Sequence, residues 1–183
     1  MTELKHIVFL TGFMGSGKST IGPQLARRIG YDFADMDNKI EQSEGTSIPD
    51  IFDKRGETYF RRTEVKILRE LSGSNGKIVV ALGGGTLTNE ECRTIVRDRG
   101  VLVYLQISTR KVLQRVGRNR ERPMLLSPKG EVMSDIELSE RVEALLNERE
   151  KYYLKADLVI NADEMTVLDC VEEIASKLKG LVE

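Results

Sequence analysis

A glycine-rich segment directly after the first apolar run of the chain restricts the possible folds more than any other feature. Ile7 to Leu10 has the pattern of a β-strand, and the segment that follows it, Gly12-Phe-Met-Gly-Ser-Gly-Lys-Ser-Thr20, leads into a helical pattern. The segment satisfies GxxxxGK[ST] in the strand-loop-helix context that gives this motif its meaning. Its glycines let successive N–H groups converge on one point, and the following helix adds its positive end. The sequence therefore predicts a P-loop that holds nucleotide phosphates. The predicted ligands are Gly15, Ser16, Gly17, Lys18, Ser19 and Thr20.

Three side chains in and after this loop have consequences of their own. Lys18 is expected to reach the β- and γ-phosphates. The Ser19 hydroxyl is expected to complete a Mg²⁺ site, because Mg²⁺ binds hard oxygens and keeps several of its waters. Pro23 fits less well, since it lies a turn into the helix, where it removes an N–H and costs about 3 kcal/mol or bends the axis.

Short apolar, β-branched runs alternate with amphipathic stretches along the rest of the chain. The predicted strands are Ile7 to Leu10, Phe33-Ala34, Ile78 to Leu82, Val101 to Ile107 and Leu158 to Ile160. Helix starts are predicted at Ser47, at Thr88 followed by Glu91, and at Ser108, and helix stops at Gly30, Gly73, Gly100 and Gly180. Strands separated by helices form parallel sheets, and right-handed crossovers place helices on both faces. We therefore expect an α/β fold of three αβα layers around a five-stranded parallel sheet.

Length and charge exclude several classes of function. The 183 residues fit one domain, 1–183, and 28 Lys plus Arg against 29 Asp plus Glu give no field that favours nucleic acid or an anionic membrane. No apolar run approaches the ~20 residues of a membrane span and no signal peptide opens the chain, so we expect a cytoplasmic protein, by default a monomer. Cys92 and Cys170 have no paired spacing and are predicted to be buried apolar residues. His6 is the single histidine, which disfavours a Ser-His-Asp triad or a multi-histidine metal site.

One irregular stretch interrupts the alternation of strands and helices. Residues 117–130 are rich in arginine and contain Pro123 and Pro128. A loop of this length inside a compact domain is usually a mobile functional segment or a disordered one.

Candidate acceptor-binding residues follow the second and third strands, at the edge where parallel sheets bind ligands. Asp35 and Asp37 end the second strand, where one carboxylate suits magnesium waters and the other a substrate hydroxyl, although aspartates there can also simply cap the next helix. Gly83-Gly84-Gly85 ends the third strand and leaves no side chain between backbone and ligand, although it can equally be a flexible turn.

Two arginines on predicted helices are candidates for binding an anionic group. Arg61 has Glu57 four residues before it and Glu64 three residues after it, which also permits ordinary surface ion pairs. Arg149 is ambiguous by itself. Two arginines that converge on one carboxylate would favour a binding site.

Together these residues resemble the shikimate kinase family, and the likeness extends from Ile7 to the helix after Leu158. That family has an Asp-x-Asp, an Arg-Arg on a helix, a Gly-Gly-Gly and a lid arginine before proline, and all four occur here in that order. The resemblance implies a P-loop fold like that of nucleoside monophosphate kinases, with an arginine-rich lid at about 117–130.

The resemblance also implies roles for single residues. Asp37 resembles the residue that contacts the ring hydroxyls of shikimate and acts as base. Asp35 resembles the carboxylate that holds Mg²⁺ through water. Arg61 and Arg149 resemble the pair that binds the shikimate carboxylate, with Gly83, Gly84 and Gly85 lining the same pocket.

On the nucleotide side, Arg122 resembles the lid arginine that reaches the phosphates, although Arg118 and Arg120 are alternative candidates for that role. Arg115 resembles the residue that lies over adenine. The adenine loop corresponds to about residues 161–165. Met124 departs from the apolar pair that usually follows the lid proline.

The implied reaction transfers the γ-phosphoryl group of ATP to the 3-hydroxyl of shikimate with Mg²⁺ as cofactor, on the route to chorismate and aromatic amino acids. The alternatives are another small P-loop kinase, for gluconate or a nucleoside monophosphate, and a nucleotide-binding regulator without kinase activity.

Overall fold

The computed structural model of the chain describes residues 6–73, 76–116 and 133–182. Its strands are β1 (Ile7–Thr11), β2 (Asp32–Asp35), β3 (Ile78–Ala81), β4 (Gly100–Gln106) and β5 (Leu158–Asn161). Its α-helices are α1 (Lys18–Ile29), α2 (Met36–Glu44), α3 (Ile48–Gly73), α4 (Glu90–Arg99), α5 (Thr109–Val116), α6 (Asp135–Tyr153) and α7 (Val167–Leu178). A short 3-10 helix, Thr86–Thr88, precedes α4.

The strands form one parallel sheet in the order β2-β3-β1-β4-β5, with β1 in the centre. Every residue of β1 is buried, as is all of β4 except its last residue, which is typical of strands covered on both faces. Helix α1 packs on β1, β2 and β3 and against α7, while α4 packs on β4 and against α3. The predicted three-layer αβα fold with a five-stranded parallel sheet is confirmed.

Because all five strands run in one direction, their carboxyl ends lie at one edge of the sheet. The pairing of Leu10 and of Asp35 with Ala81 aligns the ends of β1, β2 and β3. The P-loop follows β1, α2 follows β2, and the Gly83–Gly85 loop follows β3. The topology thus brings three segments that are far apart in sequence to the same edge.

The observed helix boundaries correct one prediction. Helix α4 begins at Glu90, with Asn89 and not Thr88 as its N-cap, because the Asn89 side chain accepts hydrogen bonds from the N–H groups of Glu91 and Cys92. The Thr88 hydroxyl donates instead to the Gly85 carbonyl. Pro23 lies inside α1, which nevertheless runs from Lys18 to Ile29.

Cys92 and Cys170 are both free and buried, as predicted. Within the three described ranges, the structure contains no helix of the length and apolarity needed to cross a membrane.

Candidate active site

A cleft of about 990 Å³ opens at the carboxyl edge of the sheet. Its walls come from the P-loop, the start of α2, the helix α3, the glycine loop after β3, and parts of α5, α6 and α7. The predicted site residues that line it are Gly15, Ser16, Gly17, Lys18, Ser19, Thr20, Asp35, Asp37, Arg61, Gly83, Gly84, Gly85, Arg115 and Arg149. Arg122 and its rivals Arg118 and Arg120 lie outside the described residues.

The P-loop has the backbone that its glycines permit. Gly15 and Gly17 have φ angles of 78° and 100°, and Gly17 is the N-cap of α1. Gly12 admits no side chain, because a Cβ there would lie 2.7 Å from the carbonyl oxygen of Leu105. The loop is therefore fixed between the centre of the sheet and the N-terminus of α1, where exposed N–H groups favour an anion.

The Lys18 ammonium lies over this loop. Its Nζ donates to the carbonyl oxygens of Gly12 and Phe13, at 2.8 and 3.1 Å, and approaches the Ser16 Oγ at 3.4 Å. The ammonium group is thus held at the loop that is expected to bind phosphate.

Ser19 and Asp35 meet beside the loop. The Ser19 hydroxyl donates to Asp35 Oδ2 at 2.6 Å, while Asp35 Oδ1 accepts from the N–H groups of Asp37 and Asn38 and so caps α2. Asp35 is therefore a helix cap and also a neighbour of the P-loop serine, so the two interpretations of this residue are compatible. In the described part of the chain, no group of three or more His, Cys, Asp or Glu side chains could hold a metal by itself. A hydroxyl and a carboxylate beside a phosphate loop do suit Mg²⁺ that is held partly by phosphate and water.

Asp37 lies in the first turn of α2 and faces the glycine loop. A Cβ on Gly83 would lie 3.0 Å from Asp37 Oδ1 and 3.2 Å from Glu64 Oε1. The absence of a side chain at Gly83 is therefore what lets these carboxylates approach the backbone.

The guanidinium groups of Arg61 and Arg149 approach the same glycine loop from two helices. A Cβ on Gly84 would lie 3.6 Å from Nη1 of Arg149, and a Cβ on Gly85 would lie 3.1 Å from both terminal nitrogens of Arg61. Two positive groups thus converge on one short stretch of bare backbone, and the cleft there suits an anionic ligand.

Arg61 is held by two carboxylates. Its Nη1 donates to Glu64 Oε2 at 2.9 Å, and its Nε and Nη2 donate to Glu57 Oε1 at 3.3 and 3.2 Å. Glu57 is exposed, but Glu64 is only 1% exposed and also accepts a 2.6 Å bond from the Thr86 hydroxyl. Burial lowers the pKa of Arg61, yet Glu64 and Glu57 outweigh it and the pKa lies above its usual value.

Arg149 is a buried arginine, 4% exposed, on the inner face of α6. Its guanidinium carbon lies 5.9 Å from the centre of the Phe13 ring, within the range of a cation–π contact. Its positive charge lies in the wall of the cleft, 3.6 Å from the position that a Cβ of Gly84 would take, which favours a role in binding an anion.

The other end of the cleft lies between α5 and α7. Arg115 donates from Nη1 to the Gly15 carbonyl at 2.6 Å and so contacts the P-loop directly. Ala162, Met165, Val167 and Cys170 form an apolar wall nearby, which overlaps the segment predicted as the adenine loop. The geometry provides an apolar surface next to the phosphate loop.

Several residues of the cleft were not predicted from the sequence, namely Glu41, Ile48, Pro49, Phe52, Phe60, Arg141 and, as a buried group, Glu64. A signal for Glu64 was present. Phe60, Glu64, Ile67 and Leu68 have the i, i+4, i+7, i+8 spacing of one helix face, which places Glu64 on the apolar side of α3.

Comparison with known proteins agrees with this geometry. A family model described as shikimate kinase matches residues 14–179. The shikimate kinase of Chlorobaculum tepidum is 42% identical over 178 residues, covering 96% of this chain and 93% of that protein.

Solved structures give the same result. A shikimate kinase from Acinetobacter baumannii in complex with shikimate aligns with a TM-score of 0.86 and 32% identity, over 96% of this chain and 94% of that one. A gluconokinase from Sinorhizobium meliloti aligns with a TM-score of 0.61 and 19% identity, over 98% of this chain and 95% of that one, a likeness that shows the fold alone. A family model that covers most of the chain, relatives above 40% identity and a site with the expected residues lead to one conclusion: the chain belongs to the shikimate kinase family.

Proposed function

We propose that this chain transfers the γ-phosphoryl group of ATP to the 3-hydroxyl of shikimate, giving ADP and shikimate 3-phosphate. The observation that carries the proposal is the convergence of Arg61 and Arg149 on the bare backbone of Gly83–Gly85, beside Asp37 and next to the P-loop. This arrangement offers a carboxylate clamp, a wall for a polar ring and a group for the acceptor hydroxyl in one cleft. The active form is a cytoplasmic monomer of one domain.

In this proposal the residues of the chain act mainly by positioning and by charge. Lys18 stabilises the negative charge of the phosphates, Arg115 lies over the adenine, and the P-loop N–H groups fix the γ-phosphoryl group in line with the acceptor. Asp37 orients the 3-hydroxyl and accepts its proton as the new P–O bond forms and the bond to ADP breaks. The transition state is loose, so positive charge around the transferring group contributes more than a strong base.

Mg²⁺ is the metal that the site suits, with Ser19 and Asp35 as its protein partners. When bound, it neutralises charge on the β- and γ-phosphates. The family resemblance also implies a lid at about 117–130, whose Arg122 would contact the phosphates and which would keep water from competing with the acceptor; these residues lie outside the described part of the chain.

A direct assay tests the proposed function. The purified chain is incubated with Mg-ATP and shikimate, gluconate or AMP, and ADP release is followed for each acceptor. We expect rapid ADP release with shikimate, and not with gluconate or AMP. Equal or faster turnover with gluconate or AMP would identify a different small-molecule kinase, and ATP binding without turnover on any acceptor would identify a regulator.

The clamp gives a second prediction, for Arg61→Lys. A planar guanidinium binds a carboxylate through two parallel N–H bonds, and lysine keeps the charge but not this geometry. Each hydrogen bond to a charged group contributes about 1.5–3 kcal/mol, so shikimate affinity should fall roughly 10- to 150-fold while the Kd for ATP changes little. Calorimetric titration with shikimate in the absence of ATP measures the effect.

Arg62→Lys is the matched control, because Arg62 is the exposed neighbour of Arg61 and does not line the cleft. Its shikimate affinity should equal that of the wild type. Equal affinities in both variants would mean that Arg61 serves only its ion pairs with Glu57 and Glu64.

A further inference from the structure

Tyr153 lies outside the cleft, yet it contacts the loop that forms one of its walls. It is the last residue of α6, it is 1% exposed, and its hydroxyl donates a hydrogen bond to the carbonyl oxygen of Gly84. The two residues are 69 positions apart in sequence. This bond is a tertiary link between α6 and the glycine loop.

The three carbonyl groups of the glycine loop all have donors, but these donors differ in origin. The Gly83 carbonyl accepts from the N–H of Thr86, and the Gly85 carbonyl accepts from both the N–H and the hydroxyl of Thr88. Those bonds are local to the turn. The bond from Tyr153 instead joins the Gly84 carbonyl to α6, and the Thr86 hydroxyl joins the end of the turn to Glu64 of α3.

Such an anchor matters because three consecutive glycines have more backbone freedom than any other tripeptide. A peptide unit is planar and its C=O and N–H point in opposite directions, so holding the Gly84 carbonyl also fixes the direction of the Gly85 N–H. Without the phenol, the Gly84–Gly85 peptide could rotate at little cost.

The same phenol is tied to the clamp. Arg149 lies four residues before Tyr153, on the same face of α6, and its guanidinium is close enough to affect the pKa of the Tyr153 hydroxyl. Burial raises the pKa of Tyr153 to about 12, with Arg149 opposing the rise, so the hydroxyl remains a donor at physiological pH.

The ring itself is held in place. It packs against Tyr104 of β4, with ring centres 5.2 Å apart and planes tilted by 39°. Removing only the hydroxyl would therefore leave this packing intact.

We propose that Tyr153 is a positioning residue of the acceptor site, whose hydroxyl sets the place of the Gly84 backbone relative to the Arg149 guanidinium. This inference rests on the proposed function, because the proposed function assigns both the Arg61–Arg149 clamp and the Gly83–Gly85 loop to the binding of one acceptor. It follows that α6 carries both Arg149, which binds the acceptor, and the Tyr153 hydroxyl, which fixes the glycine loop beside it.

Tyr153→Phe tests this. The loss of one hydrogen bond should weaken shikimate binding roughly 3- to 10-fold by calorimetry, while the Kd for ATP stays within about twofold of the wild-type value. Amide hydrogen exchange of the segment Gly83–Thr86 in the ligand-free protein should become faster, because the Gly84 carbonyl has lost its bond to α6.

Tyr104→Phe is the control, since it removes the hydroxyl group of the ring that packs against Tyr153. The Tyr104 hydroxyl interacts with Glu150 and not with the glycine loop. It should change neither shikimate affinity nor exchange in the loop. The proposal is overturned if Tyr153→Phe behaves like Tyr104→Phe. It is also overturned if only one of the two effects is seen, that is, weaker shikimate binding without faster loop exchange, or faster loop exchange with unchanged shikimate binding. A wild-type protein that binds no shikimate would refute the proposed function, and slow loop exchange in Tyr153→Phe would then still refute the anchor.

Discussion

Replacing Lys18 with methionine should lower kcat by about 10³-fold or more while the protein stays folded. A single preorganised donor to a charged transition state contributes about 10²–10³ in kcat, and a cation on the transferring phosphoryl group contributes about 10³–10⁵. Lys18 is the cation that the P-loop itself holds, through the carbonyls of Gly12 and Phe13. Methionine has a similar length and no charge, so it leaves no large cavity.

Steady-state kinetics with shikimate and thermal unfolding of the same samples measure this effect. Lys66→Met is a suitable control, because Lys66 is an exposed lysine on α3 whose contact is with Glu70. The control should keep wild-type turnover. A Lys18→Met enzyme that retains turnover within about tenfold of wild type would contradict the P-loop assignment.

Asp37→Asn should produce the other large effect, a fall in kcat of about 10²-fold or more with little change in the KM for ATP. The carboxylate lies against Gly83 at the acceptor side of the cleft, so its loss affects the acceptor hydroxyl and not nucleotide binding. Asparagine keeps the shape of the side chain but cannot take up the proton of the hydroxyl.

The control for this variant is Asp32→Asn, at the exposed start of β2 and at the opposite edge of the sheet from the cleft. Full kcat and KM determinations for both substrates separate the outcomes. If kcat is unchanged in Asp37→Asn, the carboxylate serves only the first turn of α2, where a negative charge contributes about 0.3–1 kcal/mol to stability.

Much of the fold could be predicted from the sequence because its signals are local. The P-loop motif and the strand after which it occurs are adjacent in the chain, and the five apolar runs lie within one or two residues of the observed strands. The sequence predicts no bounds for α2, although it does offer the aspartates after β2 as caps of a following helix, and Asp35 is that cap. The N-cap of α4 is Asn89 and not the predicted Thr88; both residue types can cap a helix, and the hydrogen bonds of the structure distinguish them.

The candidate site was harder to predict, because its contacts join distant residues. The spacing permits ion pairs of Arg61 with Glu57 and Glu64, and both pairs form. Spacing does not show that Glu64 is buried beneath Arg61 and bonded to Thr86, since that depends on how α3 packs over the loop after β3. The link from Tyr153 to Gly84 has no sequence signal, because it spans 69 residues and needs α6 in place first.

The bare backbone at Gly83–Gly85 limits how this enzyme could be redesigned for a new acceptor. Glycine has the smallest side chain, so no substitution in this loop can enlarge the pocket. A Cβ at Gly83 would also lie within 3.2 Å of three oxygen atoms. Room for a bulkier acceptor has to come from side chains elsewhere in the cleft, such as Phe52 and Phe60 of α3. Those two aromatic residues are therefore the positions to vary first in a library aimed at larger cyclic alcohols.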